Sequence, residues 1–145
     1  MSEAPKKDPA PARPASTVVI LRDSAEGIEV FMVVRNHQID FASGALVFPG
    51  GKVDKEDGDP AWTELAPQIP TAPDRAFFIA AGRETFEEAG LVLARRRGSD
   101  NILDAEAAER LVETYRAPLL KGELSFADIV RREELALAGD LMVPF

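Results

Sequence analysis

The sequence predicts an α/β (α+β) domain, and three observations support that class. Two β-rich segments, residues 17–22 and 28–35, lie on either side of a turn signal, which predicts a hairpin. A helical pattern then begins near Pro73 and ends before Gly90. The length of 145 residues fits one domain that is large enough to bury a core.

The first part of the chain divides into a tail and the start of a sheet. Residues 1–16 are rich in Pro, Ala and Lys, which predicts a disordered tail before a domain over residues 17–145. Apolar residues alternate along residues 28–35 and the opposite face is mixed, as in a sheet that is covered on both sides. Residues 36–44 predict a loop, and residues 45–48 predict a short strand.

The next stretch contains a turn and an insert. We expect a turn at residues 50–51, which are both glycine. Residues 58–72 contain several prolines, and this density predicts a surface loop rather than a helix. Trp62, the sole tryptophan, either pins this loop to the body of the protein or lines the substrate site.

The C-terminal third predicts two further helices between short strands. Residues 91–94 predict a strand, and the three arginines at 95–97 either clamp substrate phosphates or form a solvated edge. A helix capped by Asp104 is expected to end before Pro118. Residues 125–139 predict a second helix, because its first and fourth residues have capping-box spacing. Residues 141–145 predict the beginning of another strand.

Composition excludes several classes of function. The net charge of −8 argues against a nucleic-acid partner, because phosphate-backbone binding depends on clustered Lys and Arg. The absence of cysteine excludes disulfides and thiol nucleophiles and fits a reducing compartment, so we expect a cytoplasmic protein. His37 is the only histidine, which argues against triads and metal sites built on that residue. We see neither a membrane-spanning run nor a signal peptide and expect no membrane partner.

Three carboxylates fall on one stripe of the predicted long helix. At about 100° per residue, Glu84, Glu87 and Glu88 lie within an arc of roughly 100°. Like charges at i and i+4 repel by about a few tenths of a kcal/mol in water, and a divalent cation would remove that penalty. A solvated acidic face is the alternative interpretation.

Small residues on the same side of the helix, among them Ala80 and Ala81, leave room for a second backbone segment. Gly50 and Gly51 could supply it, because glycines allow close approach and leave their carbonyl oxygens available as hard ligands. Oxygen-only ligands favour Mg²⁺ or Mn²⁺. The expected metal ligands are Gly50, Glu84, Glu87 and Glu88.

These two stretches together resemble the Nudix box of the Nudix hydrolases, written G-x5-E-x7-R-E-U-x-E-E-x-G-U, where U is aliphatic. The matching residues in this sequence are Gly51, Arg83, Glu84, Glu87, Glu88, Gly90 and Leu91. Asp57 stands at the position of the first glutamate, with Glu56 beside it as a substitute. The spacer of residues 58–82 is longer than the seven residues of the pattern, and one branch of the family, which includes peroxisomal coenzyme A diphosphatases, carries an insert here.

The resemblance implies a Nudix-type mixed β-sheet sandwiched between helices and a metal-dependent hydrolase that cleaves a diphosphate bond. The implied catalytic residues are Glu84, Glu88 and Arg83. One of the glutamates, with Glu84 before Glu88, would take the proton of the attacking water. Arg83 would pair with an acidic residue near Asp57 and fix the loop, the alternative being an ordinary surface ion pair.

The expected substrate is a small nucleoside diphosphate derivative. Arg35, Gly44 and the run Phe48-Pro49-Gly50-Gly51 resemble a signature of coenzyme A-directed Nudix enzymes, although Asp40 replaces its second arginine. Coenzyme A or an acyl-CoA is therefore the first substrate, with Arg35, Gly51 and Asp57 as candidate binding residues. The alternatives are a nucleotide sugar, ADP-ribose or a dinucleotide, or a non-catalytic module that binds a nucleotide or a protein.

The family normally continues with more strands and a closing helix beyond the point where this sequence stops. We therefore expect a C-terminally incomplete domain. A homodimer could supply the missing elements. The sequence does not distinguish a shortened chain from a naturally short variant.

Overall fold

The computed structural model describes residues 10–35, 44–69 and 74–145. The predicted loop with His37 and Asp40, and the helix start at Pro73, lie outside these residues. Within them the strands are β1 (Ala15–Thr17), β2 (Ile20–Ser24), β3 (Gly27–Phe31), β4 (Val33–Val34), β5 (Leu46–Val47), β6 (Gly50–Lys52), β7 (Ala94–Arg96) and β8 (Leu135–Leu137). The helices are α1 (Trp62–Leu65), α2 (Arg75–Ala89), α3 (Ala105–Leu111), α4 (Ala117–Leu120) and α5 (Phe126–Arg132).

The described strands pair two by two, and every pairing is antiparallel. The pairs are β1 with β6, β2 with β3, β4 with β5, and β7 with β8. The expected α+β class is confirmed. The strands are two to five residues long, and over the described residues they form four two-stranded sheets instead of one continuous mixed sheet. None of the described helices is long and apolar enough to cross a membrane.

The hydrophobic core lies where α1, α2, α5 and β8 meet. Its aromatic centre is Phe126, whose ring lies 5.9 Å from that of Trp62 and 6.1 Å from that of Phe86. Fully burying one such side chain contributes roughly 1.5–3 kcal/mol. The other large core residues are Leu65, Ile69, Phe78, Ile79, Leu111, Leu119, Ile129, Val130, Leu135 and Leu137. This core fixes one side of α2 and leaves its other side facing β1 and β6.

The described part of the insert, residues 58–69, contributes to this core, which corrects the expectation of a surface loop. It forms the helical turn α1, and Trp62 is only 1% exposed. The indole Nε1 donates to the carbonyl of Glu56 at 3.0 Å. The pinning interpretation of Trp62 is therefore confirmed, and the interpretation that it lines the substrate site is wrong.

The predicted hairpin exists but begins later in the chain. Ile20 pairs with Phe31 and Ser24 pairs with Gly27, so β2 and β3 form the hairpin. Thr17 belongs instead to β1, which begins at Ala15 and so lies partly within the segment expected to be a disordered tail. The hairpin is also exposed to solvent, and the exposed fraction of Ile28 is 70%. The expectation that both faces of this sheet are covered is therefore wrong.

The helical segment after Asp104 continues past its predicted end. Asp104 caps α3 as expected, its Oδ1 accepting from the Ala107 N–H at 2.8 Å. The segment then runs through a π-helical turn, Val112–Arg116, into α4. Pro118 lies in the first turn of α4, a position where proline is tolerated, so it does not end the segment.

The last predicted helix and strand need correction. The capping box of Ser125 and Asp128 is confirmed, but α5 ends at Arg132 rather than near Gly139. Glu134 takes a positive φ of 51°, which turns the chain into β8. A 3-10 turn, Gly139–Leu141, follows, and residues 142–145 form no strand.

The side chains of the arginines at 95–97 do not converge on a common site. Arg95 is buried, and its guanidinium forms a paired contact with Asp140 and donates to Gln68 Oε1 at 2.9 Å. Arg97 lies 3.7 Å from Glu64 in an exposed ion pair. Arg95 therefore ties β7 to the turn after β8, and the phosphate-clamp interpretation is wrong.

Candidate active site

The position of the carboxylates on the long helix α2 depends on where the helix ends and on which side of it is buried. Gly90 takes a left-handed φ of 66°, which closes the helix as predicted. Ile79 and Phe86 are buried in the core and fix the rotation of the helix about its axis. Glu84, on the opposite side, therefore faces β6.

Gly50 and Gly51 lie in the strand β6, not in the turn that the sequence predicted. Thr17 pairs with Gly50 and Ser16 with Gly51. The ladder bonds at either end, Val18 N–H to Pro49 O at 2.8 Å and Val53 N–H to Pro14 O at 2.9 Å, show which pairs exchange hydrogen bonds. Hydrogen-bonded and non-hydrogen-bonded residue pairs alternate along an antiparallel ladder, so Gly50 and Thr17 form a non-hydrogen-bonded pair. The backbone N–H and C=O of Gly50 are therefore not used by β1 and are available to groups on α2.

Both glycines lie against glutamates of α2. The N–H of Gly50 donates to Glu88 Oε2 at 3.0 Å. A Cβ built on Gly51 would overlap all three atoms of the Glu84 carboxyl group. Glu84 and Glu88 are one helical turn apart, so they lie on the same side of α2. Glu84 lies against Gly51, and Glu88 binds the preceding residue of the strand, Gly50.

The side chain of Arg83 is the centre of the charged network. It is buried, and it binds Asp57 through two contacts, Nε to Oδ1 at 3.0 Å and Nη2 to Oδ2 at 2.9 Å. Nη2 also donates to the carbonyl of Lys52 at 2.8 Å. Asp57 is 2% exposed and accepts from the Asp54 N–H at 2.7 Å, which closes the turn that follows β6. This pair is not the ordinary surface ion pair that was the alternative.

The third nitrogen of Arg83 faces the glutamates. Nη1 lies 2.9 Å from Glu84 Oε1 and 3.3 Å from Glu87 Oε1. Burial disfavours the cation, but the hydrogen bond and charge of Asp57, with Glu87 and Glu84, outweigh it and raise the pKa of Arg83. Arg83 therefore stays charged and joins the loop after β6 to the carboxylates of α2.

The carboxylates outnumber the cation that they share. Burial raises the pKa of Glu84, Arg83 opposes that effect, and repulsion from Glu87 and Glu88 adds to it. A carboxylate in this position is a stronger base than an exposed one. The uncompensated negative charge is also what a divalent cation would neutralise.

The donor chemistry fits a hard divalent cation, although the carboxylates contact other groups of the protein. Over the ranges that the structure describes, no three His, Cys, Asp or Glu side chains converge as metal ligands do. Glu84 and Glu87 contact Arg83, and Glu88 contacts the Gly50 N–H. These carboxylates and the nearby glycine carbonyls are the oxygen ligands that Mg²⁺ and Mn²⁺ prefer.

A cleft of about 550 Å³ opens beside this cluster. Glu88 and Gly50 form one part of its lining, and Arg35 lies in the same cleft. The remaining lining residues are Thr17, Val33, Val34, Val47 and Phe48. The cleft therefore combines the carboxylate of Glu88, the guanidinium of Arg35 and an apolar wall within reach of one small molecule.

The structure thus brings together most residues that the sequence singled out. Glu84, Glu87, Glu88, Gly50, Gly51, Arg83 and Asp57 form one connected cluster. Asp57, expected as a substrate contact, is instead enclosed by its bonds to Arg83 and Asp54. Sequence reasoning missed Arg116, whose guanidinium binds backbone carbonyls at the end of α2. No local pattern signals such a contact, because it joins residues about 28 positions apart.

Substitution of the two glycines is expected to separate stability from activity. A Cβ on Gly50 would strike the backbone carbonyl of Ser16, so Gly50→Ala should destabilise the β1–β6 pair. The three atoms nearest to a Cβ on Gly51 all belong to the end of the Glu84 side chain, which can move aside. Gly51→Ala should therefore keep most of the stability and lose most of the activity. Chemical denaturation and kcat measurements check this, and equal loss of stability in both variants would contradict it.

Comparison with known proteins adds a fold assignment. No protein-family model matches the chain. The structure is similar to the crystal structure of a NUDIX hydrolase from Alicyclobacillus acidocaldarius, with 31% sequence identity and a TM-score of 0.51. The match covers 88% of this chain and 57% of that chain, so this chain spans little more than half of that protein's length. Over the matched residues the chain has a Nudix-type fold.

Proposed function

We propose that this chain is a Nudix hydrolase, a metal-dependent enzyme that cleaves the diphosphate bond of a nucleoside diphosphate linked to another group. The observation that carries the proposal is that two glutamates of α2 lie against two consecutive glycines of β6. The similarity to a NUDIX hydrolase supports the same reaction class. A solvated acidic helix face accounts neither for the close approach of Gly51 to Glu84 nor for the contacts of the buried Arg83 with Glu84 and Glu87.

The metal ligands of this proposal are Glu84, Glu87, Glu88 and the carbonyl of Gly50. A bound Mg²⁺ or Mn²⁺ would neutralise the charge of the substrate phosphates and favour ionisation of the attacking water. The register of β6 supports the role of Gly50, because the ladder does not use its carbonyl. Arg83 holds Glu84 and Glu87 in place from the side that faces the core.

The hydrolysis needs a base, and Glu84 is our first candidate. Water adds to one phosphorus, the bridging P–O bond breaks, and the carboxylate accepts the proton of the water. The carboxyl group of Glu84 lies against Gly51 of β6, within the acidic cluster that would hold the metal. Glu88 is the second candidate, because it borders the cleft. A direct attack by water requires no covalent intermediate on the protein.

The cleft supports a coenzyme A or acyl-CoA substrate as the first choice. Arg35 could bind a phosphate at a distance from the acidic cluster, since a guanidinium matches phosphate geometry. Phe48 and the valines offer an apolar wall for a base or an acyl chain. Nucleotide sugars, ADP-ribose and dinucleotides carry the same diphosphate group and are the alternative substrates.

A substrate panel tests the proposed function. We expect Mg²⁺-dependent cleavage of at least one of coenzyme A, ADP-ribose, NADH and diadenosine compounds, with the products separated by chromatography. Incubation with excess chelator is the matched control and should abolish cleavage. Binding of a nucleotide without cleavage would favour the non-catalytic module instead. Cleavage that survives the chelator would contradict the metal-dependent reaction.

A further inference from the structure

The last turn of α2 leaves carbonyl groups that the helix itself cannot satisfy. The closing residues satisfy two of them: the Gly90 N–H donates to Phe86 O at 3.0 Å, and the Leu91 N–H donates to Thr85 O at 3.4 Å. The next two carbonyls belong to Glu87 and Glu88. These are the residues whose side chains form part of the acidic cluster.

Arg116 supplies the donors for both of these carbonyls. Its Nε donates to Glu87 O at 2.7 Å, and its Nη2 donates to Glu88 O at 2.9 Å. A cation at the C-terminal end of a helix also stabilises the helix dipole. The planar guanidinium fixes the two carbonyls relative to each other, which a single donor would not do.

The π-helical turn places Arg116 at this position. The turn, Val112–Arg116, packs against the end of α2, where a Cβ built on Gly90 would lie 3.3 Å from Val112 Cγ2. Val112 and Arg116 therefore contact the same helix end, one through apolar atoms and one through hydrogen bonds. An extra residue within a helix redirects the side chains that follow it, and such turns occur frequently at functional sites.

We propose that Arg116 is a positioning residue for the metal ligands Glu87 and Glu88. It holds the last turn of α2 so that these carboxylates face β6. Unlike Arg83, it binds only backbone oxygens of these residues and leaves their carboxylate oxygens to a cation. The effect of Arg116 on metal binding rests on the proposed function, whereas its hydrogen bonds to the end of α2 do not depend on that function.

Two measurements on Arg116→Met and Arg116→Lys test the inference. In the metal-free protein, hydrogen–deuterium exchange should become faster in a peptide spanning residues 85–91 and remain unchanged in α5. In a Mn²⁺ titration, Arg116→Met should weaken binding by roughly 10- to 100-fold, as is typical for partners that orient metal ligands. Arg116→Lys keeps the charge and should recover only part of both effects. Arg110→Met is the control, since Arg110 is an exposed residue of the same helical segment.

The outcomes separate this inference from the proposed function. Wild-type protein that binds no Mn²⁺ would overturn the proposed function, and the exchange data would then decide the role of Arg116 at the helix end. Wild-type exchange at residues 85–91 in Arg116→Met, or in Arg116→Lys if the methionine variant does not fold, would overturn the positioning role. Full rescue by lysine would show that the charge alone matters, which also contradicts it.

Discussion

Glu84→Gln and Glu88→Gln are each expected to lower kcat by roughly 10²- to 10⁴-fold, the usual contribution of a positioned general base. Glutamine keeps the size of the side chain but can neither accept the proton of the water nor carry the charge that holds a cation. The fold should remain intact, because both side chains lie outside the hydrophobic core. Steady-state kinetics with the best substrate of the panel measure the effect.

A matched variant controls for the loss of a negative charge. Glu109→Gln removes an exposed carboxylate from α3, and its kcat should match that of the wild type. Circular dichroism and thermal unfolding should show the same fold in all three variants. Near-normal turnover in both Glu84→Gln and Glu88→Gln would refute the assignment of these residues.

Arg83→Met is expected to cost about 3–5 kcal/mol of unfolding free energy, because it leaves the buried carboxylate of Asp57 without its partner. The variant also removes the donor that contacts Glu84 and Glu87, so activity should fall in any protein that still folds. Urea denaturation measures the first effect. The double variant Arg83→Met, Asp57→Leu should recover much of the stability but none of the activity.

An exposed ion pair offers the comparison for this prediction. Arg22 and Glu29 are bonded across the β2–β3 hairpin, with 79% and 49% of their side chains exposed. Arg22→Met should change the stability little, because surface pairs contribute little. If Arg83→Met were as well tolerated as Arg22→Met, the Arg83–Asp57 pair would not be the structural centre of the site.

Local signals in the sequence predicted the helix ends and the acidic cluster. Gly90 marks the end of α2, and Ser125 and Asp128 form the predicted capping box, since these depend on neighbouring residues only. The spacing of Glu84 and Glu88 also follows from helix geometry alone. Their contact with glycines more than thirty residues earlier, at 38 positions for Glu88 and Gly50, was expected from the small residues on that side of the helix, and the resemblance to a known motif supported it.

Long-range packing explains most of what the sequence did not predict. Thr17 continues a β-rich run, yet it pairs with Gly50 while Ile20 pairs with Phe31, so one apparent strand serves two sheets. Trp62 lies in a proline-rich insert, but burial of its ring against Phe126 outweighs the loop composition. The sequence predicted that Leu135 belongs to a helix, but Leu135 lies in β8, which is a strand because it pairs with β7.

Binding of Mn²⁺ to the purified chain, followed by the electron paramagnetic resonance signal of the free ion, tests most directly whether α2 and β6 form a metal site. If they form such a site, the wild type should bind Mn²⁺ saturably, Glu84→Gln and Glu88→Gln should bind it at least about tenfold more weakly, and Glu109→Gln should bind it like the wild type. Wild-type protein that leaves Mn²⁺ free in solution, or glutamine variants that bind it as tightly as the wild type, would show that α2 and β6 do not form a metal site.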